Sequence, residues 1–127
     1  MALSKDKAKE LLCALEGHHQ ILKELHWSTD NHSRHILTDE IDEGVLEFED
    51  ELAEVVMGKL GEKFGKGDLK AMLPEAEELK GVLDELEDDV NKFIDSLGSE
   101  HGFGGIYNVT DDFLSKIYKW KYLETLS

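Results

Sequence analysis

Residues 32–60 read HSRHILTDEIDEGVLEFEDELAEVVMGKL, and this stretch decides the fold. Ile36, Leu37, Ile41, Val45, Phe48, Leu52, Val55 and Val56 recur at spacings of three and four, the period of one helix face. Many of the intervening positions are acidic, so the spacing predicts one long amphipathic helix from about His32 to Leu60. Gly58, Gly61, Gly65 and Gly67 end it.

Upstream, Ser28-Thr29-Asp30-Asn31 is a cluster of cap and turn residues. Before it, Leu11, Leu12, Leu15, His19, Leu22 and His26 keep helical spacing, which predicts a first helix from about Ser4 to Asp30 with Ser4 as N-cap. Downstream, Leu69, Met72, Leu73, Ala76, Leu79, Val82, Leu83, Leu86, Val90, Phe93, Ile94 and Leu97 predict a third helix between Asp68 and Leu97. Pro74 either sits in its first turn or separates a short preceding turn from it. After a glycine-rich loop, Gly98 to Gly105, a fourth helix runs from about Thr110 to Leu126, capped by Thr110 or Asn108. Its inward residues are Phe113, Ile117, Trp120 and Leu123 or Leu126. Four amphipathic helices joined by short loops imply an all-α antiparallel four-helix bundle, a single domain over residues 1–127.

Charge narrows the function classes. The chain carries 29 acidic against 14 basic residues, a formal charge of -15, so a phosphate backbone is repelled and no nucleic-acid partner is expected. Cys13 is the only cysteine, which rules out an internal disulfide and fits a reducing compartment. Residues 1–9 are charged and lack the apolar core of a secretory leader. No apolar run reaches the ~18 residues of a membrane span. A cytoplasmic protein without a membrane partner is the expectation. There is no H-E-x-x-H, no phosphate-binding glycine loop, no paired cysteine motif and no nucleophile elbow, so hydrolase chemistry has no support.

Five of the six histidines, His18, His19, His26, His32 and His35, fall between positions 18 and 35. Imidazole together with carboxylate suits iron, zinc or manganese. His26 ends the first helix and His35 starts the second, so the turn can bring them together. Asp50 and Glu54, one helical turn apart, project from one face of the second helix. Asp50 lies 15 residues beyond His35, which is about 22 Å along a helix. The two cannot share a metal within one chain. They can if two subunits pack their second helices antiparallel about a two-fold axis, which forms the site twice per dimer. Asp39, one turn after His35, is a further ligand or a partner to one. Glu16-x-x-His19 is a single copy of a motif that di-iron bundles use twice, and the third helix supplies no histidine. His18, His19 and His32 are read as surface residues, with extra metal ligands as the alternative.

Leu25-His26-Trp27, then His35, then the Asp50-x-x-x-Glu54 pair resembles the Dps-type miniferritins, strongly over about Leu22 to Val56 and at the level of the fold elsewhere. The stretch is also similar to short ferritin-like proteins of bacteria and phages. The resemblance implies a ferritin-like bundle and an inter-subunit ferroxidase site. There His26, His35, Asp50 and Glu54 bind and oxidise Fe2+ with O2 or peroxide, Asp39 assists, and Trp27 flanks the iron. It also implies a homodimer at least, a larger cage in many members, and iron storage or detoxification. No lysine-rich tail is present, so the family's DNA binding is not expected. Two alternatives stand beside this reading: a non-catalytic helical assembly protein, and a protein that holds zinc or manganese without redox chemistry.

Overall fold

The computed structural model describes residues 2–98 and 102–127; His101 lies outside the described residues. Four helices pack into an all-α bundle: α1 (Lys5–Ser28), α2 (His32–Leu60), α3 (Leu79–Ser96) and α4 (Gly104–Glu124). No strand occurs among the described residues. Ser4 caps α1 as expected, its side chain accepting from the Lys7 amide at 3.2 Å. Asn31 caps α2 by accepting from Arg34 N at 3.0 Å, and Gly61, at φ 70°, closes α2 in the left-handed conformation that favours glycine.

Side-chain pairs fix the direction of each helix. His26 meets His35 and His19 meets Asp42, so α1 and α2 are antiparallel. His18 meets Asp89, Glu10 meets Lys92, and Lys7 reaches the carbonyl of Ser96, so α3 runs antiparallel to α1. Arg34 pairs with Glu124 at 3.3 Å while Lys59 lies over the Phe103 ring, so α4 opposes α2. Adjacent helices are therefore all antiparallel, while α2 and α3, on a diagonal, run the same way. Such a pair needs a long connection, and residues 61–78 supply it by crossing the length of the bundle along α1.

This crossover corrects the expected third helix, which starts at Leu79 rather than Asp68. Proline lacks the amide proton and restrains the residue before it, so Pro74 disfavours a helix through Leu73. The backbone bonds instead to the neighbouring helices. The Met72 amide donates to the Cys13 carbonyl at 3.0 Å, and the Glu85 carboxylate accepts from the amides of Glu75 and Ala76. Met72 and Leu73, read as core, are consequently exposed, whereas Leu69 and Ala76 do pack against the core. The fourth helix begins earlier than expected, at Gly104. Thr110 is buried inside it, bonding back to the Ile106 and Tyr107 carbonyls instead of capping. Leu123 packs on the core; Leu126 is exposed.

The core joins all four helices through Leu12, Leu15, Leu22, Ile41, Leu52, Leu83, Leu86 and Ile117, each essentially inaccessible to solvent. Phe48 stacks on Phe113 with centroids 4.0 Å apart, and Phe113 meets Trp120 edge-on. No helix among the described residues is long and apolar enough to cross a membrane.

Candidate metal centre

The histidines at the α1–α2 turn are built into a pair. The rings of His26 and His35 stack with centroids 3.8 Å apart and an interplanar angle of 17°. His26 Nδ1 donates to the His35 carbonyl at 2.7 Å, and His35 Nδ1 donates to the His26 carbonyl at 2.8 Å. A carbonyl oxygen only accepts, so each Nδ1 must carry the proton. In the neutral form of each ring the lone pair then sits on Nε2, the arrangement in which imidazole binds a metal. The His26 carbonyl belongs to the last turn of α1, whose carbonyls have no partner within the helix; His35 supplies one. The buried hydroxyl of Thr38 lies 3.3 Å from His26 Nδ1 and donates to the Arg34 carbonyl, which fixes the floor beneath the ring. The negative end of the α1 dipole and the positive end of the α2 dipole meet at this turn and largely offset each other.

Asp39, Asp50 and Glu54 are exposed on the outward side of α2. Asp39 stands one turn from His35. Asp50 and Glu54 lie far along the same unbroken helix and do not reach the histidines of their own chain. Among the described residues, no three His, Cys, Asp or Glu side chains of one chain converge closely enough to hold a metal ion. Imidazole nitrogens and carboxylate oxygens are donor types that suit Fe, Mn or Zn, but a single chain does not bring them together. Trp27 is exposed beside the pair, with Lys23 Nζ 5.6 Å from its ring centroid.

Below the histidine pair, the α1–α2 seam carries a polar ladder that steps by sevens: 26 and 19 on α1 against 35, 42 and 49 on α2. His19 Nδ1 donates to Asp42 Oδ1 at 2.6 Å. Glu49 is half-buried, and its carboxyl is pushed from 4.5 to about 7 by burial, then by the charge of Glu16 and more weakly Asp50, with His19 opposing. Its Oε2 finds no hydrogen-bond partner. Position-by-position reading missed this ladder, although the seven-residue repeat on both helices was its signal. His18, expected on the surface, is 1% exposed and donates through Nε2 to Asp89 at 2.7 Å across the α1–α3 seam. His19 is half-buried, and only His32 is exposed as expected.

The ladder makes stability pH-dependent with an unusual sign. The folded state holds a proton on Glu49 that the unfolded chain has released above 4.5. That contribution is present in full below pH 4.5 and is lost as pH rises through about 7. Glu49→Gln should therefore leave thermal stability at pH 4.5 nearly unchanged and raise it at pH 8 by about 1 kcal/mol, the linkage value being reduced because solvent reaches the group. Melting curves at the two pH values measure the difference; equal effects at both would show that Glu49 stays ionised throughout.

No curated protein and no solved structure matches the chain. The profile of a family of unknown function (DUF5856) matches residues 26–123, a span that opens on His26 and contains His35, Asp39, Asp50 and Glu54, and the chain belongs to that family.

Proposed function

We propose that the protein is a ferritin-like iron-binding protein of the cytoplasm that oxidises Fe2+ with O2 or peroxide at a site shared between two subunits, for iron storage or detoxification. One observation carries the reading: His26 and His35 commit both Nδ1 atoms to backbone carbonyls and keep both Nε2 lone pairs for a ligand. The single long crossover between α2 and α3 supports it, because bundles of the ferritin type have one such connection.

In this reading Fe2+ is the substrate. His26 and His35 of one chain hold it, Asp39 assists, and Asp50 and Glu54 of a second chain complete the donors. Imidazole suits the ferrous ion, while carboxylate oxygens favour the harder ferric product. The same donors would hold zinc or manganese without redox chemistry.

Anaerobic titration with Fe2+, followed by air or peroxide while near-ultraviolet absorbance is recorded, tests this. Saturable binding and fast oxidation are expected in the wild type, and His26→Ala and Glu54→Ala should each slow oxidation by at least about tenfold, as loss of a metal-site residue does. Binding without oxidation would replace the reading with a redox-silent metal protein. Binding no stronger than in the variants would leave a helical assembly protein.

A further inference from the structure

The outward face of α2 lies opposite the buried stripe of Leu37, Ile41, Val45, Phe48, Leu52 and Val56. It carries Asp39, Glu43, Glu47, Asp50 and Glu54, all exposed. The only lysine and arginine of α2, Arg34 and Lys59, stand at its two ends. Both are already engaged with their own chain, Arg34 by Glu124 and Lys59 by the Phe103 ring. Between them no fixed positive charge on α2 can answer an opposing carboxylate. The face also shows an apolar residue near its midpoint, Leu46, 40% exposed, and another beside His35, Ile36, 55% exposed.

We infer that this face pairs with a second copy of the chain only when a divalent cation is bound, so that the metal centre is also the switch for assembly. The inference rests on the shared-site reading above and adds to it. In the antiparallel register that sets His35 beside the second copy's Glu54, Asp39 falls beside that copy's Asp50, and Leu46 lies close to the two-fold axis. Like-charged carboxylates then oppose each other next to the histidine pair, twice per dimer. The exposed apolar residues of the face, Leu46 and Ile36 of each chain, are too few to offset both that repulsion and the entropy of association. A divalent cation between the Nε2 atoms and the facing carboxylates neutralises the excess charge and supplies the bonds that hold the two helices together.

Mn2+, which does not turn over with O2 as Fe2+ does, is the probe. Sedimentation velocity of the full chain should give a monomer in EDTA and a dimer in Mn2+. With Mn2+ at about ten times the dissociation constant of its site, mass action over two sites tightens the dimer about 100-fold. The His26→Ala/His35→Ala chain and the Asp50→Ala/Glu54→Ala chain should each lose this response. Their mixture should regain about tenfold of it, because one of the two sites then has intact histidines facing intact carboxylates. Recovery in the mixture also shows that both variants fold. A dimer equally stable in EDTA would overturn the metal switch while leaving the shared site in place. A monomer in Mn2+ would overturn the pairing, and calorimetric Mn2+ binding to that monomer would then show whether the histidines hold metal without a partner.

Discussion

Trp120→Ala is expected to cost about 3–5 kcal/mol of folding stability, the range for removing a large aromatic side chain from a packed core. Trp120 is 4% exposed, meets Phe113 edge-on at 5.7 Å, and lies against α2 at Gly44. A β-carbon at Gly44 would stand 2.4 Å and 2.5 Å from the Cη2 and Cζ2 atoms of that indole. The two positions are one device: the glycine removes a side chain from α2 so that the indole of α4 can enter. Gly44→Ala alone therefore forces the ring aside and costs about 1–3 kcal/mol, partly offset by the helix preference of alanine over glycine. In the Trp120→Ala background the obstacle is gone, and the same change should stabilise by up to about 1 kcal/mol. Chemical denaturation of the four chains in this cycle measures both effects. A Gly44→Ala change with the same sign in both backgrounds would show that the indole is not what the glycine accommodates.

That device illustrates what the sequence reveals and what it leaves hidden. The helical period placed Trp120 and Phe113 inward and set the ends of α2 correctly, because an apolar stripe has nowhere to go but the core. It could not show that Gly44 faces the indole, since contacts between helices depend on register. Likewise His26 and His35 were legible as a pair across a short turn, and the length of α2 alone separated Asp50 from them. The tautomers that leave both Nε2 atoms free were not legible, because they depend on which carbonyls the rings reach. The third helix was overextended for a related reason. Leu69, Met72, Leu73 and Ala76 keep a helical period, yet the amides of Met72 and Ala76 bond to neighbouring helices rather than along their own chain. Periodicity reports which residues want burial, not which hydrogen bonds win.

The crossover provides the second large effect. Gly17, on α1, is buried under it, and a β-carbon there would lie 1.8 Å from the Met72 carbonyl oxygen, 2.3 Å from its carbon and 2.9 Å from Leu73 N. These are backbone atoms, which cannot rotate away as a side chain can. Gly17→Ala must lift the crossover from α1, break the hydrogen bond from Met72 N to the Cys13 carbonyl and loosen Leu69 and Ala76. Overpacking and the lost bond outweigh the helix gain, for a net loss of about 2 kcal/mol. Gly58→Ala, on α2 with nothing within 4 Å of the new carbon, is the control and should stabilise by up to about 1 kcal/mol. The two substitutions make the same chemical change on two helices, so opposite signs isolate the packing term. Because Met72 and Leu73 are exposed, the crossover can detach without unfolding the bundle. Amide exchange should then show Met72 losing protection while Leu22, Ile41 and Leu52 keep theirs. Uniform loss at all four would mean that the crossover and the bundle unfold as one unit.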